Sequence, residues 1–437
     1  MVSATIFHEN FKTTPFWWEA FHPSPGSDEQ VPTTTTIAII GAGYTGLATA
    51  RELHELGIEA TVFDAEEPGI GASTRSGGLV SGAVSIKPPI IADEGTDQKN
   101  LAMMSDAHLG LEWLEYLIDT ENINCGWTKK GLFIGAWSKK HLSKLQDRAN
   151  QLNQATPCNA RTILRDQQRE YIGSDFYHGG LYVENAGHLH PALYYEGMLN
   201  ACKSRKVTIC GNAAVQNLKS VSSGWLLKTS RGDCRADEVI IATNGYTGDL
   251  TPDFKRRLIP LRAYIITTEK LDPMLAASLS PGNSSFTDSK RITSFFRLWE
   301  PENRLVYGSR MRWRDISPDR MAPLLYSSML ERFPQLAGTK ITHAWTGSVA
   351  LTLDERPHIG DLKGMHFALG CNGAGVSNMT YLGTQLARRI AQTHNYQCAF
   401  DDNTFPIHPL YTGKQRWALP VIGNLLRFRD WWDRQGK

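Results

Sequence analysis

The sequence lacks a long apolar run, a net charge of either sign and closely spaced cysteines. No apolar stretch is long enough to cross a bilayer, and Met1 to Gln30 shows no signal-peptide pattern. The 46 basic and 44 acidic side chains leave a formal charge of +2, which argues against nucleic-acid or membrane-surface partners. Seven cysteines without a C-x-x-C pair argue against disulfides and a zinc site. We therefore expect a cytoplasmic protein without a bound metal.

A dinucleotide-binding pattern occupies the stretch from Thr33 to Ala65. Thr33 to Ile40 is β-branched and apolar, which predicts a buried strand. A G-x-G-x-x-G turn follows, then a helical apolar period, and then a second strand that ends at Asp64. Such glycines let the backbone approach a pyrophosphate at a helix N-terminus, and the carboxylate accepts hydrogen bonds from a ribose. The expected contacts are Gly41, Gly43, Tyr44, Thr45, Gly46, Asp64 and Ala65.

A small, hydroxyl-rich segment follows the second strand. Such a composition usually marks a surface loop. Its position directly after a ribose-binding strand favours a wall against a large flat ligand, because small residues let the backbone come close. The expected contacts are Ala72, Ser73, Thr74, Arg75, Ser76, Gly77, Gly78 and Leu79.

Two later segments repeat the pattern of an apolar strand followed by a glycine turn. The strand 238–242 precedes the first turn, and Met365 to Leu369 precedes a glycine-rich turn and a helix. The N-terminus of that helix suits a partial negative charge on a bound ligand. The expected contacts are Ala214, Val215, Thr243, Asn244, Gly245, Tyr246, Gly347, Gly370, Asn372, Gly373, Ala374, Gly375 and Val376.

An ordered set of motifs covers nearly the whole chain: IAIIGAGYTGLATA, GASTRSGGL, GHLHP, VIIATNGYT, RLVYGSR, AWTGSVALTLDERPHIG and ALGCNGAGV. In this order they resemble the D-amino-acid-oxidase-like superfamily of FAD-dependent oxidoreductases. Within it, the chain is similar to the γ-glutamylputrescine oxidoreductase-like and glycine/sarcosine oxidase-like branches.

The resemblance implies a mixed α/β fold, with a Rossmann-type FAD-binding lobe interleaved with an antiparallel-sheet substrate lobe. The strands 261–268, 294–298, 304–308 and 341–345 would supply the second sheet. The flavin would lie between the lobes. For the aromatic C-terminal segment, the simplest expectation is a helix that packs on the FAD lobe. The expected divisions are 33–101, 203–249 and 345–390 for the FAD lobe, 102–202 and 250–344 for the substrate lobe, 1–32 for an N-terminal strap and 391–437 for a C-terminal tail.

The resemblance also implies a reaction, in which a hydride moves from a carbon beside an amine nitrogen to flavin N5 and the imine product hydrolyses. Oxygen is the expected acceptor, with H2O2 as product. Two alternatives stay open: an oxidase of glycine, sarcosine or D-amino acids, and a dehydrogenase subunit that passes electrons to a quinone or a partner chain, with the aromatic tail 417–432 as a docking surface. A single G-x-G-x-x-G argues against an NAD(P)H-dependent monooxygenase.

At four points the sequence differs from the glycine/sarcosine oxidase-like branches, and these differences bear on the expected substrate, electron acceptor and mode of FAD binding. Val349 and Gly373 stand where the glycine-oxidase-like branch carries basic residues, which favours an amine or an N-substituted amino acid. Residues 304–308 lack the lysine that assists oxygen in sarcosine oxidases, so oxidase activity is not assured. No cysteine occurs in 348–358, which predicts noncovalent FAD. Other anchors for a carboxylate are Arg75, Arg262, Arg297 and Arg310.

The substrate pocket is expected to involve aromatic, histidine and arginine side chains. Flat side chains sandwich an alkyl amine, although ordinary core packing explains them equally well. A histidine before Ile-Gly more often bonds the backbone than takes part in catalysis. The candidates are Arg297, Tyr264, Tyr307, Trp345 and His358.

Overall fold

The computed structural model describes residues 6–23, 29–86, 96–312, 316–394, 396–401, 405–409, 411–413 and 418–435. Its helices are α1 Tyr44–Glu55, α2 Thr96–Thr120, α3 Lys139–Ala155, α4 Pro191–Ser204, α5 Pro252–Lys255, α6 Pro273–Leu279, α7 Pro318–Arg332, α8 Gly375–Ile390 and α9 Ala418–Arg434. Its strands are β1 Phe7–Lys12, β2 Thr34–Ile40, β3 Ala60–Phe63, β4 Leu79–Val80, β5 Leu132–Gly135, β6 Ala160–Ile163, β7 Gly180–Val183, β8 Gly187–His188, β9 Thr208–Cys210, β10 Val215–Val221, β11 Gly224–Thr229, β12 Gly232–Ile241, β13 Leu258–Thr268, β14 Ser285–Asp288, β15 Ser294–Trp299, β16 Arg304–Arg312, β17 Ile341–Thr352, β18 His358–Leu362 and β19 Met365–Leu369.

The first sheet contains a parallel layer with the order β19-β12-β2-β3-β9. β10, β11 and β18 extend it by antiparallel pairing. The strands β2 and β3 are apolar and mostly buried, as expected for a parallel sheet covered on both faces. Because parallel strands share one carboxyl edge, the turns after β2, β3, β12 and β19 meet there. This edge positions the candidate site.

The second sheet has the order β1-β17-β13-β16-β15-β14-β5-β7-β6. Its pairs are antiparallel except β1 with β17 and β14 with β5. A separate buried cluster fills one face, with Phe296, Tyr307 and Phe333 among its residues. The predicted strands of this sheet are present as β13, β15, β16 and β17, and the expectation of a mixed α/β fold is confirmed.

The strand β17 crosses the expected lobe boundary at residue 345. It pairs with β13 along its whole length, from Ile341 with Thr268 to Thr352 with Leu258. Residues 345–352 therefore extend the second sheet, although the resemblance implied that they belong to the FAD lobe. The physical reason is that the backbone groups of these residues are paired with β13.

The C-terminal helix α9 differs from the sequence expectation, which placed it on the FAD lobe. Asp430 accepts hydrogen bonds from the backbone N–H groups of Arg291 and Ile292 at 3.0 and 3.1 Å. Asp433 forms an ion pair with Arg291 at 2.7 Å. These partners lie between β14 and β15, so the expectation is wrong and acidic side chains fix α9 to the second sheet. Its aromatic face, with Phe428 and Trp431, stays exposed.

The buried ion pair between Arg332 and Asp288 supports a stability prediction. Both side chains are fully buried, and Arg332 Nη2 lies 2.8 Å from Asp288 Oδ2. Asp288→Asn leaves the guanidinium without its main counter-charge and is expected to lower the free energy of unfolding by about 3–5 kcal/mol. Denaturant titration measures this loss. Asp175→Asn, in the exposed pair with Arg169, is the control, and an equal loss there would contradict the account.

Candidate active site

A cavity of about 1310 Å³ joins the carboxyl edge of the first sheet to the second sheet. Its walls include the turns after β2, β3, β12 and β19 and residues of β5, β13, β14, β15 and β17. α3 and α9 also contribute residues to its lining. Ligands commonly bind between structural layers of this kind, and the volume is large enough for a dinucleotide and a second molecule.

The turn between β2 and α1 forms one end of the cavity. Gly41 has φ +111°, and a Cβ built on Gly46 would lie 1.9 Å from the carbonyl oxygen of Gly41. A side chain at Gly46 would force α1 away from the end of β2, and one at Gly41 would be strained by this φ and would lie 2.9 Å from the carbonyl oxygen of Ala242. The first turn of α1 therefore begins at the strand end, and its unpaired N–H groups and helix dipole favour a phosphate there.

Asp64 follows β3 and lines the same end of the cavity. Its Oδ2 accepts a hydrogen bond from the N–H of Ala42 at 2.8 Å, and its Oδ1 accepts one from Glu66 at 3.1 Å. Burial raises the pKa of this carboxyl group, against the lowering effect of these hydrogen bonds. Each oxygen keeps a further lone pair, which suits the hydroxyl groups of a ribose.

The glycine loop 72–79 is held from behind by the N-terminal segment. Trp17 Nε1 donates a hydrogen bond to the carbonyl oxygen of Ser76 at 2.8 Å, and Trp18 Nε1 donates to Thr74 Oγ1 at 3.0 Å. Trp345 Nε1 donates to the carbonyl oxygen of Arg75 at 2.8 Å. Three indoles thus fix the loop while its other side lines the cavity.

Arg297 also lies behind this loop, with its side chain fully buried. Its Nε donates to the carbonyl oxygen of Gly77 at 2.8 Å and its Nη2 to that of Leu189 at 2.8 Å. The guanidinium lies 4.9 Å from the ring centre of Trp17 and 5.3 Å from that of Trp299. Burial lowers its pKa to about 9. Arg297 therefore positions the loop from outside the cavity.

Two asparagines connect the later glycine turns. Asn244 Oδ1 accepts hydrogen bonds from the N–H groups of Gly370 and Cys371 at 3.1 and 3.3 Å. Asn372 Oδ1 accepts one from the N–H of Thr352 at 3.0 Å. The turns after β12 and β19 and the end of β17 are thereby held together, with α8 beginning at the cavity wall.

The structure brings most of the predicted cofactor residues to the cavity. Those that line it are Gly41, Gly43, Tyr44, Thr45, Asp64, Ala65, Ala72, Ser73, Arg75, Ser76, Gly77, Gly78, Leu79, Ala214, Val215, Thr243, Asn244, Gly245, Tyr246, Gly347, Asn372, Gly373, Ala374, Gly375 and Val376. Three predicted contacts lie behind the wall instead. Gly46 packs against Gly41, Thr74 Oγ1 donates to Gly69, and the N–H of Gly370 donates to Asn244.

None of the five predicted catalytic side chains lines the cavity, so the structure corrects these interpretations. The side chains of Tyr264 and Tyr307 lie in the buried cluster on the face of the second sheet that is turned away from the cavity. There Tyr307 Oη lies 2.8 Å from Ser328 Oγ. His358 Nε2 lies 3.0 Å from Asp354 Oδ1, and its ring stacks on Phe405. Trp345 and Arg297 support the glycine loop from behind.

The second sheet contributes an apolar patch to the cavity lining, beside polar residues of β14 and the turn that follows it. The residues of this patch are Leu132, Ile134, Ala263, Ile265, Phe295 and Val349. Val349 and Gly373, the two departures from the glycine-oxidase-like branch, both line the cavity. Among the other suggested carboxylate anchors, Arg75 lines it, whereas Arg262 Nη1 donates to Ser348 Oγ at 3.1 Å. The side chain of Arg310 lies outside the described residues.

Sequence reasoning missed the charged residues of α3. Lys144 and Arg148 line the cavity together with His141 and Leu145 on the same helical face. Arg148 is 8% exposed, on a face that otherwise buries Leu145, Ala149 and Leu152. The sequence signal that could have identified Arg148 is an arginine at a position of α3 that shares the helical face of these apolar residues.

In the described ranges, no cluster of acidic, histidine or cysteine side chains is arranged to hold a metal ion. No helix in these ranges is long and apolar enough to span a membrane.

Comparisons with known proteins agree with this geometry. The chain is 31% identical over 362 residues to γ-glutamylputrescine oxidoreductase of Escherichia coli (strain K12), covering 82% of this chain and 83% of that protein. It is 30% identical over 387 residues to the probable oxidoreductase OrdL of Haemophilus influenzae, covering 85% and 87%. The solved glycine oxidase from Geobacillus kaustophilus superimposes with a TM-score of 0.71 at 18% identity, covering 86% of this chain and 99% of that one.

A glycine-lined cradle for a dinucleotide beside a second sheet is the arrangement expected of an FAD-dependent oxidoreductase. The sequence profile of the DAO family, FAD dependent oxidoreductase, matches residues 36–389. The chain belongs to this family, and the resemblance found in its motifs is confirmed. Like its homologues, it is an FAD-dependent oxidoreductase that acts on amines or amino acids.

The position of Asp64 predicts its contribution to FAD affinity. Asp64→Ala removes a charged acceptor at the ribose end, a contact worth about 1.5–3 kcal/mol, so the Kd for FAD should rise about 10–100-fold. Quenching of flavin fluorescence by the apoprotein measures this constant. Glu59→Gln, exposed and outside the cavity lining, is the control. An unchanged Kd for Asp64→Ala would show that the ribose does not bind at the end of β3.

Proposed function

We propose that this enzyme oxidises an amine or an N-substituted amino acid at the carbon next to nitrogen, giving an imine that hydrolyses. The observation that carries this proposal is the continuity of the cavity, in which the glycine turns and the apolar patch of the second sheet line one space. Bound FAD supplies the hydride-accepting N5 position. The protein supplies orientation and a dry environment.

The apolar patch of the cavity lining supports an amine substrate. Ala263 and Ile265 of β13 and Phe295 of β15, the two strands on either side of β16, face the cavity. Such a patch excludes water and disfavours a charged ammonium group, so it stabilises the neutral amine from which a hydride leaves. At the matching positions Val349 and Gly373 the wall carries no charge, which favours this substrate class over glycine or a simple D-amino acid.

Oxygen is the proposed electron acceptor, with H2O2 as product. A second candidate, a dehydrogenase that passes electrons to a quinone or partner chain, is favoured by one observation. Leu425, Phe428, Trp431 and Trp432 are exposed together on α9, and Leu426 and Arg429 of the same helix line the cavity. An apolar surface beside a redox site suits the docking of an acceptor.

Spectroscopy under anaerobic conditions tests the proposal. One amine of a panel (γ-glutamylputrescine, putrescine, sarcosine, iminodiacetate, glycine, D-alanine) is expected to bleach the yellow absorbance, which returns in air as H2O2 forms. Bleaching without recovery in air would favour the dehydrogenase. A protein that takes up FAD but is bleached by no amine would contradict the proposed reaction.

The proposal includes noncovalent FAD. Cys371 lines the cavity, but its Sγ lies 3.8 Å from the carbonyl oxygen of Ala350, within a packed turn. Acid denaturation followed by centrifugation is expected to leave the flavin in the supernatant, and Cys371→Ala is expected to remain yellow. Flavin that stays with the precipitated wild-type protein, and is released from Cys371→Ala, would establish a covalent bond instead.

A further inference from the structure

The cavity carries an excess of positive charge on the face of α3. Lys144 and Arg148 lie one helical turn apart and both line the cavity. Of the other basic residues of the lining, Arg291 pairs with Asp430 and Asp433, and Lys290 lies 3.6 Å from Asp288. Arg75 donates to the carbonyl oxygens of Ile70 and Thr346. Among the ion pairs of the described residues, none involves Lys144 or Arg148.

Arg148 is the more buried of the two cations, with 8% of its surface exposed. Its guanidinium donates to neutral groups only: the carbonyl oxygens of Ala83 and Ile86, Gln151 Oε1 at 3.3 Å and Met104 Sδ at 3.6 Å. Burial lowers the pKa of this side chain to about 10, because these contacts do not replace the hydration of a full charge.

The backbone partners of Arg148 place it near the glycine loop. Ala83 and Ile86 belong to the segment that follows the glycine loop, and Val84 and Ser85 between them line the cavity. Ser85 Oγ accepts a hydrogen bond from Asn378 Nδ2 at 2.9 Å, which joins this segment to α8. A ligand that contacts the glycine loop is therefore within the same chamber as the guanidinium.

From this geometry we propose that Arg148, assisted by Lys144, binds a carboxylate carried by the amine substrate. The inference rests on the proposed function and narrows it to amines that bear a carboxylate apart from the oxidised carbon. Arg148 is a specificity-determining residue, because it brings a positive charge to the cavity from α3, whereas the positions of Val349 and Gly373 carry no charge. A carboxylate accepting hydrogen bonds from an arginine is a strong and directional contact.

A matched pair of ligands tests the inference on the FAD-loaded protein. 5-Aminopentanoate and n-pentylamine share an alkyl amine, and only the first carries a carboxylate. Their Kd values are measured anaerobically from the perturbation of the flavin absorbance. Wild-type protein is expected to bind the carboxylate ligand at least about 10-fold more tightly, since a charge-assisted hydrogen bond contributes that much or more. Equal binding of both ligands would overturn the inference.

Substitutions on α3 separate recognition from a structural role. Arg148→Met should weaken the carboxylate ligand about 10–100-fold and leave n-pentylamine nearly unchanged, because only the charged contact is lost. Lys144→Met should give a smaller selective loss. Lys140→Met, on the same helix but exposed and outside the cavity lining, is the matched control. Equal weakening of both ligands by Arg148→Met would assign Arg148 to loop tethering alone.

Further measurements keep the inference falsifiable if Arg148→Met does not fold. Lys144→Glu changes an exposed side chain, retains the fold and reverses one charge, so it should weaken 5-aminopentanoate selectively. An unchanged selectivity in Lys144→Glu would overturn the inference. The Kd for FAD should stay constant in every variant that folds, since a rise would assign the cation to the FAD pyrophosphate. Failure of the proposed function is separate, because ligand binding is measured whether or not an amine bleaches the flavin.

Discussion

The close contacts of helix α1 with its neighbours are the constraint on which the site depends. A Cβ on Gly46 would meet the carbonyl oxygen of Gly41 at 1.9 Å, and a Cβ on Gly383 of α8 would meet that of Thr45 at 2.4 Å. Thr49 Oγ1 donates to the carbonyl oxygen of Gly383 at 2.9 Å. α1 is thus fixed between β2 and α8, with its N-terminus at the strand end. Since β3, β12 and β19 run parallel within the same sheet, their turns reach the same edge.

The position of the cavity wall depends on side chains that pack behind it. The glycine loop offers little side-chain packing of its own, so indole N–H groups and Arg297 replace it by binding its carbonyl oxygens. Trp17 joins these supports, because its ring contacts those of His190, Trp299 and Trp345. The N-terminal segment therefore supports the cavity wall, although none of its described residues lines the cavity.

The cofactor half of the site could be predicted from sequence because its signals are local. Glycine spacing, a buried strand before it and an acidic residue after the next strand lie within one continuous stretch. The substrate half depends on register. Ala263 and Ile265 of β13 line the cavity, whereas Tyr264 between them faces the opposite core. A shift of one residue exchanges the two faces of a strand, and sequence alternation alone does not tell which face meets the cofactor.

Long-range contacts account for the remaining differences. Arg297 and Trp345 bind the backbone of the glycine loop, whereas the sequence assigned them direct roles. Their distance from the cavity depends on the loop packed in front of them, which the sequence does not show. Arg148 was missed since α3 reads as an ordinary amphipathic helix, and only the tertiary structure shows that its buried face meets the cavity. α9 was misplaced because the pairing of Asp430 and Asp433 with Arg291 joins distant parts of the chain.

Hydrogen–deuterium exchange of the apoprotein, with and without FAD, tests most directly the central claim that separate glycine turns form one cofactor site. The account predicts that FAD slows exchange together in 41–46, 72–79, 243–246 and 372–376, and also in the N-terminal segment around Trp17, which binds the glycine loop. Protection confined to 41–64, with the later turns and Trp17 unchanged, would contradict it.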